Sequence, residues 1–310
     1  MKLFPSLALC AAGILFAGCG SDSAAANPGD KTAAPAAPKE LRFSVIPDFN
    51  KAKLADAAAK LESVLSKKLG IPVHYEASND YASAVNNLIA NKLDFVWLGG
   101  KTTVDAIDAG GGHVHVLATR DIDLAFKTYF IGNKAAVEAG KLKTMTDLAE
   151  LKGKTSELTF TFGDKNSTSG HLMPRHFLTK AGIDPDKDFK TMGYAEGGHA
   201  GTLKAVASGA ADLGALNFAY YDKASAEDKA NAPILYTTPD YVDYAWVVHD
   251  RLGAGMTDKL RDAFVTMNAS NEDDKAILDA WSAGKFLPAK DELWNSIRQV
   301  RDSLPKGFLK

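Results

Sequence analysis

A run of three hydroxyl side chains, Ser167-Thr168-Ser169, precedes Gly170 where the sequence changes from a strand pattern to a helix pattern. The first turn of a helix has backbone N–H groups without partners and a partial positive charge. The hydroxyls add donors at the same place, and the glycine lets an anion approach the backbone closely. This combination predicts a site for several oxygens of one small oxyanion. The alternative is a simple N-cap followed by spare polar residues.

Three other turns that follow predicted strands carry residues suited to the same site. His199 stands on a glycine turn, where its imidazole can donate to an anion; a structural histidine is the alternative. Trp97 precedes Gly99 and Gly100, which permit close approach of the backbone; the alternative is a buried tryptophan followed by an ordinary turn. Asp48 ends the first predicted strand. We therefore expect these turns to share one cleft with the hydroxyl run.

Carboxylates near the predicted cleft would restrict the substrate. The candidates are Asp48, Glu196 and Asp243, and the sequence leaves open whether any of them points inward. Selenate and sulfate carry no proton at neutral pH, so their site needs only donors. A protonated phosphite or phosphonate can donate to a carboxylate, and an aminophosphonate needs acidic groups for its amine. Tyr241, Tyr244 and Trp246 are either core residues of a hinge strand, which we favour, or cleft walls.

A hydrolase is the alternative from another functional class. It would use Ser167 or Ser169 with His171 or His199, but the Gly-x-Ser-x-Gly elbow and a placed acid are both missing. A P-loop is disfavoured because Phe95 stands where its first glycine is required. The sequence has no His-Glu-x-x-His motif and no dinucleotide-binding glycine pattern. We therefore predict no catalytic residues, no metal and no cofactor.

Strand and helix patterns alternate from residue 41 onward, and the alternation begins again near residue 146. Such alternation indicates βαβ units with mainly parallel sheets. Segments 127–131 and 241–248 are rich in β-forming residues and are predicted to cross between two lobes as hinge strands. The prediction is an α/β protein with lobe one over residues 40–128 plus 246–310 and lobe two over residues 129–245. Ligands of such sheets bind at the carboxyl ends of the strands.

The whole chain has 310 residues and a formal net charge of −2, which argues against nucleic-acid binding through a basic face. Residues 1–19 have a basic start, an apolar run and small residues before Cys19, as in a secretory signal. Residues 20–39 are rich in Ala, Ser and Pro and are predicted to form a flexible tether. The two cysteines, Cys10 and Cys19, both lie before the predicted domain, which must be held together by its core.

The sequence resembles the periplasmic substrate-binding proteins of phosphate, phosphite and phosphonate ABC importers, and within them it is most similar to a selenate-binding branch. The likeness covers nearly all of residues 41–300 and is most specific over residues 167–175. The segments that carry it are Ile46-Pro47-Asp48, Trp97-Leu98-Gly99-Gly100, Ser167 to Arg175, Gly214-Ala215-Leu216-Asn217 and Tyr236-Thr237-Thr238-Pro239.

This resemblance implies a type II periplasmic-binding-protein fold and a monomer that delivers its ligand to an ABC permease and its ATPase. It adds Asn217 to the ligand-binding candidates. The small residues before Cys19 resemble a lipobox, which implies lipidation of that cysteine and an extracytoplasmic, membrane-anchored location. A sensory domain of the same fold, which hands its anion to a signalling partner, is a further alternative.

Overall fold

The computed structural model describes residues 38–48 and 51–305. The predicted signal segment over residues 1–19, with Cys19, lies outside the described residues, as does nearly all of the predicted tether over residues 20–39. No helix in the described part of the chain is both long enough and apolar enough to span a membrane.

The described residues form strands and helices that alternate along most of the chain. The strands are β1 Leu41–Val45, β2 Val73–Tyr75, β3 Phe95–Leu98, β4 Val114–Arg120, β5 Thr128–Gly132, β6 Thr159–Phe162, β7 Thr191–Tyr194, β8 Leu213–Asn217, β9 Ile234–Thr237, β10 Ala245–His249 and β11 Phe286–Pro288. The helices are α1 Lys51–Leu69, α2 Tyr81–Ile89, α3 Gly100–Ala109, α4 Lys134–Glu138, α5 Met173–Lys180, α6 Pro185–Asp188, α7 Gly198–Ala207, α8 Phe218–Asp222, α9 Ala226–Asn231, α10 Gly253–Val265, α11 Glu272–Ala280 and α12 Asn295–Ser303.

Two sheets organise these elements. The first has the order β11-β4-β10-β3-β1-β2, and the second has the order β7-β6-β8-β5-β9. β1 pairs in parallel with β2 and β3, and β6 pairs in parallel with β7 and β8. The exceptions include β10, which is antiparallel to β3 and β4, and β5, which is antiparallel to β8 and β9. Most strands of each sheet therefore run in the same direction; β10 and the edge strand β11 are reversed in the first sheet, and β5 is reversed in the second.

The crossings between the sheets differ in detail from the prediction. Segments 127–131 and 241–248 were expected to cross as strands, but β5 and β10 each belong to a single sheet. The chain passes between the sheets in residues 121–127 and 238–244, which meet at an antiparallel bridge between Phe126 and Tyr241. Within these two segments the backbone pairs as in a sheet only at that bridge. The chain changes direction there to enter the next sheet.

The apolar residues of the first sheet pack into one core with its flanking helices. Trp246 of β10 stacks on Phe264 of α10 with ring centroids 4.9 Å apart. Phe95, on the adjacent strand β3, contacts the rings of both Trp246 and Phe264. Helices α10, α11 and α12 follow β10 and pack on this sheet and on α1 and α3. This core fixes the ends of β1, β3 and β10, where the polar residues of interest lie.

Candidate functional site

Polar residues from both sheets meet at the carboxyl edges of the parallel strands. Asp48 follows β1, and the hydroxyl run and the glycine turn at Gly197 follow β6 and β7. Asp243 precedes β10, but β10 is antiparallel to β3 and pairs Ala245 with Leu98. The start of β10 therefore lies at the same edge as the end of β3. The described residues thus place side chains from widely separated segments in one buried cluster.

The first hydroxyl of the run acts as a helix cap. The Ser167 side chain accepts a hydrogen bond from the backbone N–H of Gly170 at 3.0 Å. The following residues, Thr168–Leu172, form a turn of π-helix before α5 begins. A widened turn at a functional loop is a common use of π geometry. The simple cap interpretation is therefore right for one of the three hydroxyls.

The second hydroxyl joins the two sheets. The Thr168 Oγ1 atom accepts from the backbone N–H of Lys101 in α3 at 2.9 Å, in a fully buried position. The Lys101 ammonium group also donates to the Asn166 side chain at 3.1 Å. Gly99 makes this contact possible, since a Cβ atom there would come within 3.2 Å of Thr168 Oγ1. Thr168 therefore holds the loop after β6 against the turn after β3.

The third hydroxyl is available for a ligand. The Ser169 Oγ atom is buried and has no hydrogen-bond partner among the described residues. Its backbone carbonyl accepts from the Thr128 hydroxyl at 2.9 Å, which fixes the loop beneath it. A buried hydroxyl without a partner costs free energy unless something pairs with it. The prediction of an anion contact is therefore best supported at Ser169.

His199 presents a second unpaired donor. Its Nδ1 atom accepts from the backbone N–H of Asn217 at 3.4 Å, while Nε2 is buried without a partner among the described residues. Burial lowers the pKa of His199 to about 4, so the ring is neutral near pH 7. Because Nδ1 accepts, the single ring hydrogen is on Nε2. A Cβ atom on Gly170 would lie 3.3 Å from the His199 ring, so this glycine allows the two turns to approach.

Two aspartates supply unpaired acceptors at the same place. The Asp48 Oδ2 atom accepts from the Tyr244 hydroxyl at 2.7 Å, and the Asp243 Oδ1 atom accepts from the Gly100 N–H at 2.8 Å. The other oxygen of each carboxyl group is buried without a partner in the described part of the chain. Burial raises the pKa of both aspartates to about 7. The third candidate, Glu196, is exposed.

A buried arginine lies near these carboxylates without pairing with them. Arg120 forms an ion pair with Asp123 at 2.7 Å, and its guanidinium group stacks over the Trp97 and Tyr244 rings. Its charge lowers the pKa of Asp48 and of Asp243, but burial outweighs this effect in both. The buried positive charge of Arg120 is therefore already paired with another acid.

Three of the predicted ligand residues act through their neighbours. Trp97 stacks on Tyr244 with ring centroids 5.5 Å apart and ring planes 11° apart. The Asn217 side chain caps α8 by accepting from the Tyr220 N–H, and it donates to the Tyr244 hydroxyl at 3.3 Å. Gly100 donates its N–H to Asp243. Trp97 and Asn217 thus orient Tyr244, and Gly100 orients Asp243.

Sequence reasoning omitted three members of the cluster from its ligand set. Asp243 was named only as a carboxylate near the cleft. The Tyr244 ring packs in the core as favoured, yet its hydroxyl reaches Asp48. Tyr81, the first residue of α2, is buried with its hydroxyl unpartnered among the described residues, and the charges of Asp48 and Asp243 raise its pKa together with burial. The antiparallel pairing of β10 with β3 is what puts Asp243 and Tyr244 at this edge of the sheet. The return of the chain to the first sheet through β10 was the signal that could have indicated it.

The hydrolase alternative finds little support in this geometry. His171 donates from Nδ1 to the Lys165 carbonyl at 2.7 Å, and its Nε2 accepts from the Arg175 side chain at 3.0 Å. The Nδ1 atom of His199 accepts a backbone N–H and so carries no hydrogen for a carboxylate. Within the described ranges no group of three or more His, Cys, Asp or Glu side chains is arranged to hold a metal ion. The cluster is suited to binding and not to nucleophilic catalysis.

Comparison with known proteins agrees with this conclusion. The family described as ABC transporter, phosphonate, periplasmic substrate-binding protein matches residues 43–294. The probable ABC transporter phosphite binding protein PhnD1 of Prochlorococcus marinus (strain MIT 9301) is 35% identical over 278 residues, covering 87% of this chain and 91% of that protein. The phosphonates-binding periplasmic protein of Escherichia coli (strain K12) is 27% identical over 266 residues, covering 84% and 76%.

A solved structure extends the comparison to the fold. The structure of PhnD1 from Prochlorococcus marinus in complex with methylphosphonate superposes with a TM-score of 0.79 and 35% identity, covering 85% of this chain and 97% of that one. The predicted α/β fold of two sheets flanked by helices is confirmed. The chain belongs to the family of periplasmic substrate-binding proteins of phosphonate ABC transporters.

Proposed function

We propose that this protein captures phosphite or a small phosphonate in the buried cluster and delivers it to an ABC permease with its ATPase. The relatives support this substrate class, since one is described as a probable phosphite binding protein and its solved structure contains methylphosphonate. Their role in transport, and not in catalysis, supports a binding protein. A sensory role has no specific observation in its favour.

The observation that carries the substrate assignment is the pair of buried carboxyl groups. Asp48 and Asp243 each direct one unpaired oxygen into a cluster whose other unpaired groups are the donors Ser169, His199 and Tyr81. A fully ionised sulfate or selenate offers only acceptors, so it would leave any ionised carboxylate unsatisfied and repelled, and its binding would require both aspartates to be protonated. A phosphite or phosphonate monoanion carries a P–OH group that donates to a carboxylate in a strong, charge-assisted bond. The carboxylates therefore favour a phosphorus acid over the selenate of the resembling branch.

The predicted site residues take two roles in this proposal. Ser169 and His199 donate to the ligand oxygens, one of Asp48 and Asp243 accepts from the single hydroxyl of the monoanion while the other keeps its own proton, and Tyr81 donates from α2. The remaining predicted residues shape or orient this group: Ser167, Thr168, Gly170, Gly99, Gly100, Trp97 and Asn217. Buried, preorganised donors of this kind bind an anion strongly without a counter-charge, because water no longer competes.

The two sheets with their helices would act as two lobes that close over the ligand by hinge bending. We retain the boundaries 40–128 plus 246–310 and 129–245, with bending in the crossing segments 121–127 and 238–244. The contact between the Lys101 N–H and Thr168 would form on closure and break on opening. Closure around the ligand by such a hinge is a known mode of binding proteins of this shape.

We further propose that residues 1–19 direct export and that Cys19 is lipidated, with residues 20–39 as the tether. The protein would then be a monomer anchored at the outer face of a membrane by lipid alone. Mass spectrometry of the mature protein tests this directly. A diacylglyceryl group on an N-terminal Cys19 is expected, and a mature chain that begins elsewhere would contradict it.

Isothermal titration calorimetry tests the proposed function. The purified protein, stripped of ligand by unfolding and refolding, is titrated with phosphite, methylphosphonate, 2-aminoethylphosphonate, phosphate, sulfate and selenate. We expect phosphite or methylphosphonate to bind tightly, and Ser169→Ala to weaken the binding. Ser208→Ala, which removes an exposed hydroxyl outside the cluster, is the matched control. Preference for sulfate or selenate, or no binding below about 1 mM, would contradict the proposal.

A further inference from the structure

A cavity of about 530 Å³ lies beside the buried cluster, between the two sheets. Its lining is mixed: charged side chains such as Lys223 and Asp279 occupy part of it, and an apolar part is formed by Leu54, Ala57, Trp97, Ala219 and Trp281. Asn217 also lines it. Lys223 follows α8 beside the second sheet, and Asp279 belongs to α11. The Lys223 ammonium group donates to the Asp279 backbone carbonyl at 3.1 Å. The cavity is therefore a space between the lobes, separate from the positions of the unpaired donors and acceptors.

A thin wall separates this cavity from the carboxylate of Asp48. Asn217 lines the cavity, and its side chain is held by the Tyr220 N–H on one side and the Tyr244 hydroxyl on the other. The Tyr244 hydroxyl in turn donates to Asp48. Trp97 lines the cavity and stacks on Tyr244. One layer of side chains, Asn217 with Tyr244, thus stands between the cavity and the site.

We propose that the Asn217–Tyr244 wall sets the largest substituent that the ligand phosphorus can carry. The inference rests on the proposed function and deepens it. A hydrogen or a methyl group fits with the wall in place, whereas a longer alkyl chain has no buried space on its own side of the wall. The cavity beyond, lined by Leu54, Ala57 and Trp281, would suit such a chain if the wall were opened, because apolar walls favour apolar substituents.

Asn217→Ser tests the wall with little change to the backbone. Serine is also a good N-cap and can still accept from the Tyr220 N–H, but its shorter side chain leaves the wall open. Methyl-, ethyl- and propylphosphonate are titrated into wild type and variant. We expect the ratio of the propylphosphonate to the methylphosphonate Kd to fall at least tenfold in the variant. An unchanged ratio would overturn the proposal.

Filling the cavity supplies a second, independent test. Ala57→Phe places a ring in the cavity without touching the cluster. In the wild-type background we expect no effect on the binding of any of the three ligands, because the wall already excludes them from the cavity. In the Asn217→Ser background we expect it to reverse the gain for propylphosphonate.

The outcomes separate the two proposals. If Ala57→Phe alone weakens propylphosphonate, the ligand already uses the cavity and the wall proposal is wrong, even if Asn217→Ser fails to fold. If wild type binds methylphosphonate and phosphite but neither variant behaves as expected, only the wall proposal fails. If wild type binds no phosphonate and no phosphite, the proposed function fails and the wall proposal fails with it.

Discussion

The Tyr244 hydroxyl donates to the Asp48 Oδ2 atom at 2.7 Å, across 196 positions of sequence. This bond ties the end of β1 to the start of β10 and fixes the direction of the Asp48 carboxyl group. The other oxygen, Oδ1, is left buried without a partner among the described residues. The bond thus turns a buried aspartate, an expensive group in a protein interior, into an oriented acceptor for a ligand hydroxyl.

Asp243→Asn is predicted to reverse the preference between protonated and fully ionised anions. The amide oxygen can keep the bond from the Gly100 N–H, so the amide nitrogen replaces Oδ2 as a donor. Binding of phosphite or methylphosphonate should weaken by about 1.5–3 kcal/mol, the range for a bond to a charged group. Binding of sulfate or selenate should become tighter. Calorimetry of wild type and the Asp243→Asn variant with all four anions measures this. The substitution Glu196→Gln, at an exposed position, is the control. Equal weakening of all four anions would show that Asp243 does not select the proton.

Asp48 and Asp243 are predicted to lower the stability of the ligand-free protein as pH rises from about 5 to 7.5, whereas His171 and His199, whose pKa values burial lowers to about 4, contribute in the opposite direction. Burial raises the pKa of Asp48 and Asp243 to about 7 in the folded state. The folded protein therefore holds protons that the unfolded chain, with ordinary carboxyl pKa values near ~4, has released. This stabilisation is present at low pH and is lost as pH passes through the raised values. Each aspartate should lower the unfolding free energy by about 2–3 kcal/mol over that interval, and urea unfolding of wild type and an aspartate variant isolates this contribution because the histidines are the same in both.

Asp48→Asn provides the control for this pH dependence. The variant removes one titrating group, so the change in its unfolding free energy from pH 5 to pH 7.5 should be more favourable than that of wild type by about 2–3 kcal/mol. The same substitution should stabilise the ligand-free protein at pH 7.5, since no buried charge remains at that position. A pH dependence identical to that of wild type would mean that Asp48 ionises normally.

His199→Phe is predicted to weaken binding by removing one donor while keeping a flat ring. A loss of about 10- to 100-fold is expected, in line with a hydrogen bond to a charged group. Because the pKa of His199 is lowered to about 4, its protonation should not contribute to the pH dependence of binding between pH 6 and 8. Nitrogen-15 NMR should find the ring hydrogen on Nε2. His74→Phe, at an exposed position on β2, is the control, and a charged His199 ring at pH 7 would refute this assignment.

Thr168→Val is predicted to impair closure of the lobes. Valine keeps the shape of threonine but cannot accept the hydrogen bond from the Lys101 N–H, which would be left buried without a partner. Such a loss costs about 1–3 kcal/mol, so affinity should fall about tenfold or more. Small-angle scattering with saturating ligand should show a larger radius of gyration than wild type. Thr266→Val, which removes an exposed hydroxyl at the end of α10, is the control and should change neither the affinity nor the radius of gyration.

The sequence allowed the fold to be predicted, and also the placement of the candidate donor residues at strand ends, because both leave local signals. Alternating strand and helix patterns placed Ser167, Thr168, Ser169 and His199 at strand ends. The separate roles of the three hydroxyls were not predictable, since Thr168 is assigned by a contact with Lys101 that spans 67 positions. Local patterns carry no information about such a partner.

The acceptor half was harder to predict because it depends on strand direction. Asp243 and Tyr244 precede a strand, so in a parallel sheet they would lie at the opposite edge from the site. Their position follows only from the antiparallel pairing of β10 with β3. Tyr81 gave no signal at all, since the first residue of an amphipathic helix capped by Asp80 is an ordinary core position.

A crystal structure of the protein with methylphosphonate is the most direct test of the central claim. We predict that the phosphoryl group lies in the buried cluster, with one oxygen within hydrogen-bond distance of Asp48 Oδ1 or Asp243 Oδ2 and the others facing Ser169 and His199 Nε2. The methyl group should stay on the cluster side of Asn217. A phosphoryl group bound elsewhere, or one that touches neither carboxylate, would contradict the account.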